Sequence, residues 1–345
     1  MTAGSSTTSA IETVRHQPRR IFLVGATGTI GRATVRALVR HGYDVVCFVR
    51  PPSARRRSSG AVDIGASLAG ATVRTGDVTD PASLARDGFR GERFDVVVSC
   101  LASRTGAPRD AWAIDHQAHV HLLAAAESAG VTHMILLSAI CVQKPRLAFQ
   151  HAKLAFEQAL MSSGLTWSIV RPTAYFKSLS GQVERVKQGK PFLVFGDGAL
   201  TACKPISDHD LGEFLAGCVD DPTRWNRVLP IGGPGEALTP RQQGAHLFAL
   251  LGREPRFKQV PVALLDTIVG VLAALGRVIP PLAAKAEFAR IGRYYATESM
   301  LVWDPVAGRY DAGATPSFGS ETLLDHYAQL VRGEATAERG DHAVF

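Results

Sequence analysis

From residue 18 onward, short apolar runs rich in β-branched residues alternate with longer stretches of helical periodicity. The runs "RRIFLVGAT", "YDVVCFVR", "ATVRTGDVTD", "FDVVVSCLAS", "VTHMILLSAI" and "LTWSIVRPTAYF" read as strands, mostly apolar enough to be covered on both faces. Between them, "GRATVRALVRHG" predicts a helix closed by Gly42, "HQAHVHLLAAAESAG" a second, and the segment through Lys153 to Gly164 a third. Strands separated by helices predict a parallel sheet covered on both sides. The fold class is α/β, a Rossmann-type doubly wound parallel sheet over residues 18–175.

Beyond residue 175 the alternation loosens and Gly and Pro become frequent, which predicts a smaller C-terminal substrate lobe over residues 176–330. Within it, about 204–232 is expected to pack back on the first domain, because "SDHDLGEFLAGCVDD" predicts a helix capped by Ser207 or Asp208. The stretch "TIVGVLAALG", between Asp266 and Arg277, is too short and too closely bracketed by charge to span a bilayer. A core helix is the favoured reading, and an apolar lid or membrane-surface element is the other. Residues 1–17 are expected to be a disordered tail without the apolar segment of a secretory signal, and 331–345 a second tail.

Composition adds little to this picture, and charge adds one local feature. Apolar residues are 46% and charged residues 20% of the 345, an ordinary globular balance. The five cysteines (Cys47, Cys100, Cys141, Cys203, Cys218) show no ligand spacing, so no metal or cluster site is expected and a reducing, cytoplasmic compartment is. Of the net +7, residues 1–60 carry +8: ten arginines stand there against Glu12 and Asp44. The excess ends in "RPPSARRRSSG" just after the second strand, which suits a phosphate ligand better than a nucleic acid, and no nucleic-acid partner is expected.

The strongest motif is "VGATGTIGRATV", placing Gly25, Gly28 and Gly31 between a strand and a helix. Gly25 permits the tight turn, Gly28 lets a pyrophosphate approach the backbone, and Gly31 lets helix and strand pack closely. With Thr27, Thr29 and Ile30 these residues form the expected cradle, the helix N-terminus supplying oriented N–H groups. The second strand ends at Arg50 rather than at an acid, and Arg55–Arg57 follow, which selects the 2′-phosphate of NADPH over NAD. Further strand ends supply Asp77 and Val78 at the adenine, and Leu101, Ala102 and Ser103 at the ribose and pyrophosphate. Ser138 stands at the sheet edge, Pro172 and Thr173 at the nicotinamide, and Tyr175 and Phe176 in the substrate cleft.

This ordered set resembles the short-chain dehydrogenase/reductase superfamily in its atypical branch. More narrowly, "LLSAICVQKPRLAFQHAKLAFE", "GLTWSIVRPTAYFKSLSGQVERVKQGKPFLVFGDG", "ACKPISDHDL" and "VLPIGGPGEALTPRQQG" resemble the NADPH-dependent 8-vinyl reductases of (bacterio)chlorophyll biosynthesis. The resemblance covers about residues 18–330. It implies a tetrapyrrole substrate, divinyl chlorophyllide or protochlorophyllide, whose C8 vinyl becomes ethyl. It also implies that Lys153 holds the nicotinamide ribose, with Lys153, Tyr175 and Ser138 as catalytic candidates. A pigment of low water solubility is compatible with peripheral contact to a photosynthetic membrane. Oligomeric state is not written in these patterns.

One departure bears on the chemistry. In "FQHAK" the residue four before Lys153 is Phe149, where many relatives of the superfamily carry a Tyr acid. A carbonyl reductase needs such an acid on one oxygen. Reducing a conjugated vinyl leaves a carbanion that spreads into the macrocycle and accepts a proton from a slower donor, for which Tyr175, His151 and Lys153 are the candidates. Phe149 then becomes a substrate-binding residue beside Tyr175 and Phe176. The loss of the Tyr also fits a non-catalytic, NADPH-holding accessory subunit of a respiratory complex. An isoflavone-reductase-like enzyme of aromatic small molecules is a third reading. The histidines of "DHQAHVHL" lack ligand spacing and are read as surface or core residues.

Overall fold

The computed structural model describes residues 18–51 and 64–335; the expected N-terminal tail, Arg55–Arg57 and residues 336–345 lie outside them. Six strands follow the apolar runs: β1 (Arg20–Val24), β2 (Asp44–Val49), β3 (Thr72–Thr75), β4 (Val96–Ser99), β5 (His133–Leu137) and β6 (Thr166–Pro172). β7 (Phe192–Phe195) leaves the sheet, and β8 (Arg227–Ile231) returns to it as a seventh strand. The order is β3-β2-β1-β4-β5-β6-β8, and every pairing within it is parallel. The order reverses between β1 and β4, which opens a crevice at the carboxyl ends of those strands.

Alternation along the strands explains why both faces are apolar. Ile21 and Leu23 of β1 join one core layer with Val45 and Cys47 of β2, whereas Phe22 and Val24 join the opposite layer with Val46 and Phe48. All of these are buried, and each fully buried aliphatic or phenyl group contributes roughly 1.5–3 kcal/mol of transfer free energy. Helix α1 (Thr29–Arg40) covers the first layer. Helices α2 (His119–Ser128) and α3 (Ala148–Met161) cover the second, α2 being entered through an irregular helical stretch at Trp112–Ala118.

Helix α4 (Asp208–Gly217) packs on α1 so closely that a Cβ on Gly212 would lie 2.7 Å from the Ala33 carbonyl carbon. Of the two N-cap candidates, Ser207 is the cap: its hydroxyl accepts the Asp210 N–H at 2.9 Å. The remaining chain builds a smaller lobe from α5 (Pro240–Leu250), β9 (Phe257–Val260) paired with β7, α6 (Val262–Gly276), α7 (Pro280–Thr297), the hairpin β10 (Val302–Asp304) with β11 (Arg309–Asp311), and α8 (Leu323–Arg332). Its core includes Phe192, Val194, Phe248 and Tyr327.

One expectation fails here. The apolar stretch in α6 is not a core helix, since no α6 residue is buried and Leu264, Ile268, Val271 and Leu275 are exposed. Periodicity could not separate the cases, because a helix apolar on every side looks the same whether protein covers one face or all of them. Among the described residues no helix is long and apolar enough to cross a membrane.

Candidate active site

The glycine loop has the form the sequence demands. Gly25 sits at φ +80°, and a Cβ there would lie 2.4 Å from the Cys100 carbonyl carbon, so the loop passes tightly beneath the end of β4. A Cβ on Gly31 would lie 2.1 Å from the Gly25 carbonyl oxygen. Gly28, the N-cap of α1, is open: the nearest atom to a Cβ there is 3.4 Å away, and no side chain caps the helix. The first-turn N–H groups are therefore presented to an anion, and a pyrophosphate fits the cradle. The Thr27 carbonyl accepts Arg32 at 2.8 Å, and the Thr29 hydroxyl accepts the Lys177 Nζ at 3.0 Å. Ile30 buries its side chain in the core and faces the loop by backbone alone.

Arg50 is exposed just past β2, and Asp77 follows the neighbouring β3. The Asp77 carboxylate is held below its usual range, mainly by the Thr79 hydroxyl, then by the Thr79 N–H, with Arg50 adding positive field. Val78 is half-buried against the core below. This edge thus combines an unburied guanidinium with an apolar shelf.

Beyond the nucleotide loop a cleft of about 1900 Å³, counted out to its open mouth, runs between the sheet edge and the smaller lobe. Leu101, Ala102 and Ser103 after β4, Ser138 after β5, Pro172 at the end of β6, and Thr173 and Tyr175 just beyond it line its floor. Phe149 and Lys153 project together from α3, one turn apart. Phe192, Phe195, Ile291, Tyr295 and Met300 form the far wall.

Helix α3 is fixed by two buried polar residues. Gln150 accepts the N–H groups of Arg146 and Leu147 at 2.7 and 2.9 Å and donates to the Cys141 carbonyl at 3.1 Å. Glu157, fully buried, pairs with Arg171 of β6 and accepts the Ser138 hydroxyl. Satisfied on both sides, this network anchors the helix against the sheet. The catalytic candidacy of Ser138 is corrected by it: the hydroxyl is already given to Glu157, so Ser138 fixes the helix that carries Lys153 and does not donate into the cleft.

Lys153 reaches a partner the sequence did not suggest. Its Nζ lies 3.0 Å from Asp115 Oδ1, which also accepts the Ser103 N–H at 3.2 Å. Asp115 Oδ2 is buried without a partner among the described residues, and Asp115 lines the cleft. Such an oxygen calls for a hydroxyl or water from whatever occupies the site. Nearby His119 donates from Nδ1 to the Ile114 carbonyl at 2.9 Å and accepts Ser99 Oγ at 2.8 Å through Nε2. Burial, reinforced by Lys153, pushes its pKa down to about 4, so it is a neutral core residue. His121 is half-buried and His116 lies edge-on to Trp112.

The Tyr175 hydroxyl has no hydrogen-bond partner among the described residues, while burial raises its pKa well above the ordinary phenol value. Across the cleft the Tyr295 hydroxyl lies 3.8 Å from Cys141 Sγ, and burial raises its pKa too. Both phenols stay protonated through the neutral range. Phe176 is a correction: it begins the next helical turn, is buried in the core of the smaller lobe and packs against His326. Trp167 lies toward the other end of β6, and His151 is exposed away from the cleft. Arg290 and Arg293 pair with Glu287 and Asp266 outside it.

Comparison with known proteins shows the family. A family model described as NAD(P)H-binding matches residues 25–222. The divinyl chlorophyllide a 8-vinyl-reductase of Oryza sativa subsp. indica, a chloroplastic protein, is 50% identical over 94% of this chain and 82% of its own. The chain belongs to the divinyl chlorophyllide a 8-vinyl-reductase family. The vinyl-reductase relative from Arabidopsis thaliana is 49% identical over 93% of this chain and 79% of its own. In fold, the chain is similar to leucoanthocyanidin reductase of Vitis vinifera, solved as a binary complex with NADPH, with a TM-score of 0.64 and 17% identity over 91% and 99% of the two chains. Membership of the vinyl-reductase family stands against both the accessory-subunit and the isoflavone-reductase-like alternatives.

Proposed function

We propose that the chain reduces the C8 vinyl group of divinyl chlorophyllide or protochlorophyllide to ethyl with NADPH, in (bacterio)chlorophyll biosynthesis. The observation that carries this reading is half-identity across almost the whole chain to relatives named for that reaction. The cleft supports it, being largely apolar, with Phe149 where a carbonyl reductase would need its acid.

Bound NADPH would supply a hydride from its nicotinamide ring. The cradle of Gly25, Thr27, Gly28, Thr29, Ile30 and Gly31 would hold the pyrophosphate, and Arg50 the 2′-phosphate. Asp77 and Val78 would border the adenine, and Leu101, Ala102 and Ser103 the ribose and pyrophosphate. Pro172 and Thr173 would pack against the nicotinamide, and Lys153, steadied by Asp115, would take the ribose hydroxyls. Phe149 presents an apolar face to the macrocycle.

With hydride on the terminal vinyl carbon, negative charge spreads from the adjacent carbon into the ring system, so no oxygen has to be protonated in the transition state. Tyr175, protonated and with no hydrogen-bond partner for its hydroxyl among the described residues, would return the proton. The pigment's magnesium enters as part of the substrate. Peripheral contact with a pigment-bearing membrane fits a substrate of low water solubility.

The test is absorbance. Saturating the vinyl shortens the conjugation, so incubating the pure protein with divinyl chlorophyllide a and NADPH should move the Soret band to shorter wavelength. An unchanged band, with NADPH bound and not consumed, would reject the reading in favour of a nucleotide-holding subunit.

A further inference from the structure

We propose that the α6–α7 hairpin is a membrane-docking face that sets the mouth of the cleft against an anionic lipid surface. The delivery of pigment through that mouth rests on the vinyl-reductase reading; the docking does not.

Helix α6 carries two adjacent apolar stripes, about a quarter-turn apart. Leu265, Val269 and Leu272 form its half-buried side, the helix packing on α7 so closely that a Cβ on Gly276 would lie 2.8 Å from the Ala283 nitrogen. Leu264, Ile268, Val271 and Leu275, at helical spacing, form a separate stripe, each between 39% and 52% exposed. The tip continues it with Val278 at 83% and Ile279 at 46%. Such a surface is costly in water, whereas an interfacial element places its apolar side in the headgroup–acyl boundary.

Charge indicates what covers it. Asp266 on α6 pairs with Arg293 on α7, but Arg277 and Lys285, on either side of the tip, are exposed and form no ion pair with the described residues. An exposed apolar tip flanked by two such cations complements a bilayer bearing anionic headgroups. The apolar surface also leads inward. Phe288 is 44% exposed, and Ile291 and Tyr295, on the same side of α7 by helical spacing, line the cleft.

The experiment is vesicle flotation of the full chain with NADPH present, using phosphatidylcholine alone and phosphatidylcholine mixed with phosphatidylglycerol. The chain should float with the mixed vesicles and far less with the neutral ones. Ile268→Gln with Val271→Gln, and separately Arg277→Glu with Lys285→Glu, should each lower binding about tenfold, with NADPH binding and turnover of detergent-dispersed pigment unchanged. No flotation with mixed vesicles, or flotation that survives both double variants, overturns the proposal. So does a dimer, seen by light scattering, that the glutamine variant dissociates, since the face would then be a subunit contact. Flotation lost in the variants without any pigment turnover would uphold the docking face and reject the vinyl-reductase reading alone.

Discussion

Lys153 Nζ stands 3.0 Å from Asp115 Oδ1, with the two side chains 11% and 1% exposed. The pair joins α3 to the stretch leading into α2 across the floor of the cleft. Taking two charges out of water is costly, and their attraction is the compensation. Removing either partner strands the other, at a cost of roughly 3–5 kcal/mol. Asp115→Leu and Lys153→Met should therefore both melt at lower temperature, whereas the double variant carrying both substitutions should be more stable than either. Thermal denaturation of the four proteins checks this, and strict additivity of the two losses would show that the pair is not coupled.

Phe149 shares a helix face with Lys153, and its ring would lie 3.5 Å from a Cβ on Gly106. If vinyl reduction needs no phenol there, Phe149→Tyr leaves kcat far short of the roughly hundredfold gain or more that a needed acid would supply. Phe149→Ala should instead raise KM for the pigment by removing a wall of its slot. Steady-state kinetics on both variants separates the two roles.

Tyr175 is the proposed proton donor, and its hydroxyl has no protein partner among the described residues. Tyr175→Phe should lower kcat by about a hundredfold while leaving NADPH affinity unchanged. Because burial raises its pKa, the acid form persists on the alkaline side, and activity should show no decline at the ordinary tyrosine pKa. A decline there that vanishes in the Phe variant would contradict the assignment.

His119 and His133 are both held down to about pKa 4 by burial. The unfolded chain binds these protons near pH 6.5 and the folded one does not, so their contribution is fully present above that pH and is lost as pH falls toward 4. Each contributes up to about 3 kcal/mol of this dependence. Denaturant unfolding followed from pH 7 to 4 should show a steep loss of stability, less steep in His119→Gln. An equal slope in that variant would mean His119 is protonated when folded.

Arg50 is exposed at the end of β2, beside the Asp77 turn. A charge-assisted contact to the 2′-phosphate contributes roughly 1.5–3 kcal/mol, so Arg50→Ala should raise the NADPH dissociation constant about tenfold or more with NADH little affected. Nucleotide fluorescence titration reads both. Equal weakening of the two would place Arg50 away from the phosphate.

What the sequence makes legible follows from how local each cause is. Each central strand announces itself because burial on both faces demands an unbroken apolar run. The glycine cradle does so because a Cβ at Gly25 or Gly31 would enter backbone atoms. Lys153 and Phe149 were legible as a pair because one helix turn joins them. Asp115 was not, since its partner lies on another helix; the only local trace is an acid in the apolar "WAID" turn.

Other misreadings have similar causes. Tyr175 and Phe176 are adjacent, but the chain turns into a helix between them and sends one ring to the cleft and the other to the smaller lobe. Ser138 stood at the expected strand end, yet Glu157, nineteen residues on, takes its hydroxyl. Tyr295 reaches the cleft from the far lobe, a closure that no spacing in the sequence encodes.

The central claim is direct hydride transfer to the vinyl group in the cleft that holds Lys153 and Phe149. The measurement closest to it is mass spectrometry and NMR of the pigment product formed with NADPH deuterated at C4 of the nicotinamide, each face labelled in turn. One of the two labels should place a single deuterium on the terminal carbon of the new ethyl group. An ethyl product free of deuterium with both labels, or no ethyl product at all, would contradict it.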